Sequence, residues 1–306
     1  MLALPASATY LARQLLNIVI ISFAVFLLVR AVPGDVTDFY AARGDYDAQA
    51  LASMRGELGL NESLPHQFGR WVDNAVRGDL GTSMRYGTPA SDMIINALPG
   101  TLLLAGAGLL FGLAVGVGLA VLSLAAPRSG AAALVEAVNV WSIAVPTFCT
   151  GVLGILVFSI WLHWLPIRGQ MLLPVVILGL DIAGQIAKPL YEELRETANA
   201  GFIRTARAKG LSPWRIAWRH ILPNSLSVVI ALAGVILSGL IGGTLTMEAL
   251  FSLPGLGSLT LDAIRGRDYP VIQSAVMLIA TFVVIANMLT AILHRWADPR
   301  LAVRGA

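Results

Sequence analysis

The sequence predicts an all-α, polytopic membrane protein with six transmembrane helices, and three observations carry that prediction. Only 13% of its 306 residues are charged while 57% are hydrophobic, and mean hydropathy is +0.75; a soluble domain of this size needs a more polar surface. The apolar residues gather into runs of bilayer length, and the basic residues cluster between those runs. The pI near 9.3 therefore reflects membrane topology rather than a soluble basic face, and no nucleic-acid partner is expected.

A span needs about 20 mostly apolar residues. Six stretches qualify: Leu15–Val32, Leu98–Ala126, Leu134–Leu162, Leu172–Ala187, Leu226–Leu250 and Val271–Leu293. The first ends at "RAVPGD" with no small-residue cleavage site, so it reads as a retained anchor rather than a signal peptide. In the second, Gly108, Gly112 and Gly116 recur at four-residue spacing, which allows close helix contact, for packing or for sliding during gating. The third holds Asn139 and the single Cys149, a small buried hydrophobe that cannot form a disulfide within one chain. The fourth is the shortest, and its pattern continues as a helix beyond the bilayer. It contains Asp181, with Gln185 and Lys188 on the same helical face; Glu248 lies near the end of the fifth. A carboxylate at a helix centre costs about 2.5–3.5 kcal/mol on insertion scales. Asp181, Glu248 and Asn139 are therefore candidates for a translocation pathway or gate, a structural pair with a neighbouring helix being the alternative for Asp181.

Charge sets the expected orientation. With the N-terminus inside, Arg13, Arg128, the cluster from Lys188 to Arg219, and Arg295, Arg300 and Arg304 fall on the cytoplasmic side, twelve of the 21 Lys and Arg residues. Both termini are then cytoplasmic. The loop 33–92 is external and carries nine acids against five arginines. Its stretch "LGLNESLPHQFGRWVDNAVRGDLGTSM" has helical spacing and caps, which predicts an ordered segment.

The cytoplasmic loop 188–224 is the other unusual part. A helix through "YEELRETANAGFIRTARAK" closes at Lys209 with Gly210 as its cap, and Ser212-Pro213 starts a second helix that Pro223 should break. A positive-inside anchor needs these charges but not this punctuation. The pattern fits a rigid docking element formed by Thr205, Ala206, Arg207, Lys209, Gly210, Leu211, Ser212, Pro213, Trp214, Arg215, Trp218 and Arg219. Trp214 and Trp218 share one helical face, and Arg215 and Arg219 repeat the spacing on the next.

No G-x-x-x-x-G-K-[ST] occurs, so the chain has no P-loop for ATP. Its four histidines are scattered and no zinc spacing is present. Neither catalysis nor a bound cofactor or metal is expected of this chain.

Here the sequence resembles a known family. "TARAKG", followed nine residues on by "HILPN", is similar to the cytoplasmic motif of ABC transporter permeases, E-A-A-x3-G-x9-I-x-L-P. Arg204 stands for the glutamate, Thr205, Ala206 and Gly210 follow, and His220, Leu222 and Pro223 take the later positions. These departures are those of the dipeptide/oligopeptide/nickel branch. "LLVRAVPGD", "RGDLGTSM", "LPGTLLLA", "VPTF", "LHWLPIRG", "EALFSLPGLG", "RDYPVIQ" and "ADPRL" resemble the first of its two permease subunits, in order along the chain. The resemblance implies type I ABC importer architecture in the cell membrane, surrounded by lipid. It also implies a second homologous permease subunit, one or two P-loop ATPase subunits that bind ATP and Mg, and an extracytoplasmic peptide-binding protein or lipoprotein. The implied cargo is di- or oligopeptides, with nickel or another small solute as the alternative within the family. From a different class, a self-sufficient ion-coupled secondary transporter would have no need of the docking corner.

Overall fold

The computed structural model describes residues 4–31, 34–44, 46–57 and 59–297. Arg300, Arg304 and the segment "ADPRL" beyond Ala297 lie outside them. The described chain is almost entirely helical and divides into two compact units, Met1–Gly100 with Pro254–Val284, and Thr101–Leu253 with Ile285–Ala306. Among the described residues five helical runs are long and apolar enough to cross a bilayer, and a bent pair makes a sixth if it counts as one span.

In the first unit α1 (Leu4–Ala31) is followed by three short helices, α2 (Val36–Arg43), α3 (Ala48–Glu57) and α4 (Leu64–Val76). The acidic segment is thus folded. Asp35 caps α2 by accepting from the Thr37 N–H at 2.8 Å and pairs with Arg55 at 2.8 Å. The Phe68 ring of α4 meets Phe23 and Phe26 of α1 edge to face, at 5.0 and 5.1 Å. Arg30 lies 3.9 Å over the Phe26 ring, and its Nε donates to Gln67 Oε1 at 2.8 Å. The helical pattern expected through "RGDLGTSM" stops at Val76. Gly78 and Gly81, both at φ +84°, turn the chain into a short irregular stretch closed by a bridge between Thr82 and Pro89.

That stretch is pinned by α12 (Leu256–Arg265) and the first half of α13 (Tyr269–Ala297). Asp268, 1% exposed, accepts from the Ser83 hydroxyl and from the Met84 N–H. Ser274 donates to the Leu80 carbonyl at 3.0 Å. Ala90, Ala263, Val271 and Ile272 form the apolar floor.

The second unit contains most of α5 (Ala90–Ala125), then α6 (Ala131–Ala144), α7 (Thr147–Gly154), α8 (Leu172–Thr197), α9 (Gly201–Ala208), α10 (Pro213–Ile216) and α11 (Leu222–Phe251). The glycine stripe of α5 packs on α8: a Cβ at Gly112 would lie 2.6 Å from Ile182 Cβ and 2.8 Å from the Gly179 carbonyl oxygen. Backbones this close exclude any larger side chain.

Three further elements differ from the sequence expectation. The third span is not straight. α6 and the helix that runs from α7 through a π-helical stretch, Ile155–Trp161, meet at 104°. Pro146 disfavours the α conformation at Val145, which is extended (φ −110°, ψ 113°). The long helix of the fourth span runs to Thr197 as expected, but the chain then turns at Ala198–Ala200 before α9. Finally, Pro223 does not break the second helix of the loop. A π-helical stretch, Ala217–Ile221, carries α10 directly into α11. A proline ring clashes with the carbonyl four residues back, and a widened turn relieves that clash without ending the helix.

Candidate functional site

The basic loop folds into an elbow of α9 and α10. Gly210 at φ +74° ends α9: its N–H donates to the Arg207 carbonyl at 2.9 Å, and the Leu211 N–H reaches the Ala206 carbonyl at 3.4 Å. This paired arrangement is the Schellman ending that the left-handed residue makes possible. Ser212 then caps α10, its hydroxyl accepting from the Arg215 N–H at 3.3 Å. Arg207 Nη2 donates to the Ala198 carbonyl at 3.3 Å, so the cation also satisfies a group at the end of α8.

The underside of the elbow is bolted to the unit's core. Ile203, Ala206, Ile216, Ala217 and Ile221 are buried against Leu190 and Leu194 of α8. Ala206 therefore faces inward at 7% exposure, its methyl supporting the elbow from beneath. Leu211 packs against the same cluster. The outer side is open: Thr205, Arg207, Lys209, Ser212, Pro213, Arg215 and Arg219 are exposed. Trp214 and Trp218 are 51% and 39% exposed, with rings meeting edge to face at a centroid distance of 6.0 Å. Phe202 is also exposed on α9, at 48%. Sequence inspection passed over it because its apolar neighbour Ile203 dominates the pattern there. Two exposed tryptophans, each followed in sequence by an exposed arginine, on a turn whose far side is packed into the core, make a cationic and aromatic surface of the kind that anchors protein contacts.

The three polar residues at membrane depth have distinct surroundings. Asn139 donates to the Gly184 carbonyl at 3.0 Å, a clip between α6 and α8. Glu248 is fully buried and accepts from the Thr101 hydroxyl at 2.6 Å, linking α11 to α5. Asp181 lines a cavity, of about 290 Å³, in the crook between α6, α7 and α8. Its carboxylate accepts from Gln185 Nε2 at 3.0 Å, and Thr147 lines the same cavity. Lys188, on the same face in the sequence, instead pairs with Glu136 of α6 and lies 3.6 Å from Glu192.

The chain is thus a helical protein with several bilayer-length spans, an ordered polar segment after its first helix and a rigid aromatic elbow after α8. The chain belongs to the family described as binding-protein-dependent transport system inner membrane component, which it matches over residues 108–303. The family's N-terminal component matches residues 9–105. It is 32% identical over 300 residues to a putative peptide permease protein of Brucella ovis, covering 92% of this chain and 94% of that one. It is 33% identical to a probable peptide ABC transporter permease protein of Sinorhizobium fredii, covering 95% and 98%. It is 32% identical to the glutathione transport system permease protein of Escherichia coli K12, with 95% and 98% covered. The fold is shared with a chain of an inward-facing MetNI methionine ABC transporter, at a TM-score of 0.57 and 21% identity over 68% of this chain and 97% of that one. This is the type I importer fold, and the protein is a multi-pass inner-membrane permease subunit.

Proposed function

We propose that this chain is one of two permease subunits of an ATP-driven importer of di- or oligopeptides. Its elbow receives the cytoplasmic ATPase and its long acidic loop faces the extracytoplasmic binding protein. The peptide cargo is supported by the relatives, which are described as permeases for peptides and for glutathione. ATP and Mg belong to the ATPase subunits in this reading, and the chain itself acts by moving. Asp181 lines part of the path, and the buried Glu248–Thr101 link between α11 and α5 serves as a latch near its outer end. Asn139 holds α6 against α8 beside it.

The observation that carries the docking assignment is the exposed Trp214–Trp218 pair on a turn fixed to α8 and α11 from beneath. A surface that only had to stay inside by charge needs neither the ring pair nor the locked corner. The test is Trp214→Asp in the full complex. Membrane insertion should be unchanged while the ATPases no longer co-purify, or no longer respond to loaded binding protein. Normal co-purification and normal uptake by that variant would return the tryptophans to the lipid interface.

A further inference from the structure

We propose that the cavity in the crook of the bent third span is a binding site for a primary ammonium, the free amino terminus of a transported peptide, held by Asp181. The inference rests on the reading of Asp181 as part of the path and adds the chemistry it recognises.

The site begins with Pro146. The 104° bend at Val145–Pro146 separates α6 from α7 and leaves a cavity of about 290 Å³ against α8. Ala137, Val138 and Trp141 line it from α6, Thr147 and Thr150 from α7, and Leu180 flanks Asp181 on α8. The side chains of the wall are apolar except for two hydroxyls, one carboxylate and the indole N–H of Trp141. No Lys or Arg among the described residues lines it, and the cation closest in register, Lys188, is engaged by Glu136. Among the described residues the hydrogen-bond partner of Asp181 is Gln185, a neutral donor, and the hydroxyl of Thr147 lines the cavity beside it. An amide donor orients the carboxylate without supplying a positive charge.

A carboxylate at membrane depth is retained where it has a task, and its natural counterpart is a cation. A compact ammonium with three donors satisfies Asp181 in a way that neutral amides do not. Trp141, lining the same cavity, offers an aromatic face of the kind that attracts a desolvated cation. The remaining apolar wall suits the side chain next to that ammonium. An anionic or metal cargo finds no complement here: there is no positive charge for the first and a single carboxylate for the second.

The test uses the complete permease–ATPase complex in nanodiscs and isothermal titration calorimetry. The probe is leucine amide, which has a primary ammonium, an apolar side chain and no carboxylate; N-acetylleucine amide is its uncharged twin. The wild type should bind the probe and not the twin. Asp181→Asn, which keeps the size and hydrogen-bonding capacity of the side chain, should weaken probe binding by about tenfold or more, as loss of a charge-assisted contact does, and Asp181→Glu should recover most of it. Ala137→Phe should abolish binding by filling the cavity while the carboxylate remains. Equal binding by wild type and Asp181→Asn, or equal affinity for probe and twin, overturns the proposal. So does failure of the wild type to bind, the result expected if a cation of the second permease subunit already occupies Asp181. N-acetyllysine amide carries its ammonium on the side chain; tighter binding of that compound than of leucine amide overturns the amino-terminal assignment. Uptake by proteoliposomes separates this inference from the path reading. Lost probe binding with unchanged uptake removes Asp181 from the path but keeps the ammonium site, and reduced uptake with unchanged probe binding does the reverse.

Discussion

The Thr101 hydroxyl donates to the carboxylate of Glu248 at 2.6 Å, and the acceptor is fully buried. The bond ties α5 to the last turn of α11, where the Leu253 N–H also returns to the Glu248 carbonyl at 2.9 Å. A buried polar acceptor that loses a donor retains its desolvation cost. Thr101→Val, nearly equal in shape, should therefore destabilise the purified subunit by about 1–3 kcal/mol. A thermal-unfolding scan in detergent checks this, with Thr101→Ser as the variant that keeps the bond. Equal midpoints for the valine and serine variants would show the hydroxyl to be dispensable.

Gly112 and Gly118 make a matched pair for testing the α5–α8 contact. A Cβ at Gly112 meets Ile182 and the Gly179 carbonyl within 2.8 Å, whereas one at Gly118 meets nothing within 4 Å. Gly112→Ala should force the helices apart, at about 1–3 kcal/mol for an overpacked contact. Gly118→Ala should be neutral or slightly stabilising, because alanine is the better helix former. Assembled yield and thermal midpoint report both, and a similar loss in the two variants would refute close packing as the reason for the stripe.

Much of this architecture was legible in local composition, because a bilayer imposes length and polarity on each span separately. The corner at Gly210 and the cap at Ser212 were legible for the same reason: each is a local backbone requirement with a residue preference. What escaped depends on geometry that a run of apolar residues does not encode. The bend at Pro146 lies inside an unbroken hydrophobic stretch, so the third span read as straight. Pro223 read as a helix break, yet the helix persists by widening its turn. The turn at Ala198–Ala200 is marked only by Asn199 and by Gly201 just after it, within a stretch that otherwise reads as one continuous helix. The Thr101–Glu248 bond joins residues 147 positions apart, and the inward face of Ala206 is fixed by packing on α8; no spacing rule reaches either. For Asp181 the sequence supplied the residue and its neighbour Gln185, but Lys188 has its salt bridge across to Glu136 instead.

Gly210 offers a direct measure of how firmly the elbow is held. The space around it is open, so the obstacle to a side chain there is its φ of +74° rather than a clash. Gly210→Ala should cost about 1 kcal/mol or more, concentrated in the turn that follows α9. Hydrogen exchange of the Leu211 N–H, protected by the Ala206 carbonyl, should accelerate while amides in the middle of α8 remain unchanged. Uniform acceleration across both would mean that the corner is not a local device. If the elbow is the ATPase seat, coupling between ATP hydrolysis and uptake should fall in the same variant before assembly is lost.

The charges predict an orientation that can be tested on two serines. Ser53 lies on α3 in the acidic segment and Ser212 at the cap of α10, and both are exposed. With the basic residues of 188–219 held inside, cysteines at these positions should react with a membrane-impermeant maleimide from opposite faces. Cys149, the one native cysteine, is first replaced by serine. In intact cells Ser53→Cys should label and Ser212→Cys should not; after the membrane is opened, Ser212→Cys should label as well. Blocking external thiols beforehand should abolish the Ser53→Cys signal alone. Labelling of both positions from outside would overturn the assignment of 33–92 to the external face and of the elbow to the cytoplasm, and with it the seat proposed for the ATPase.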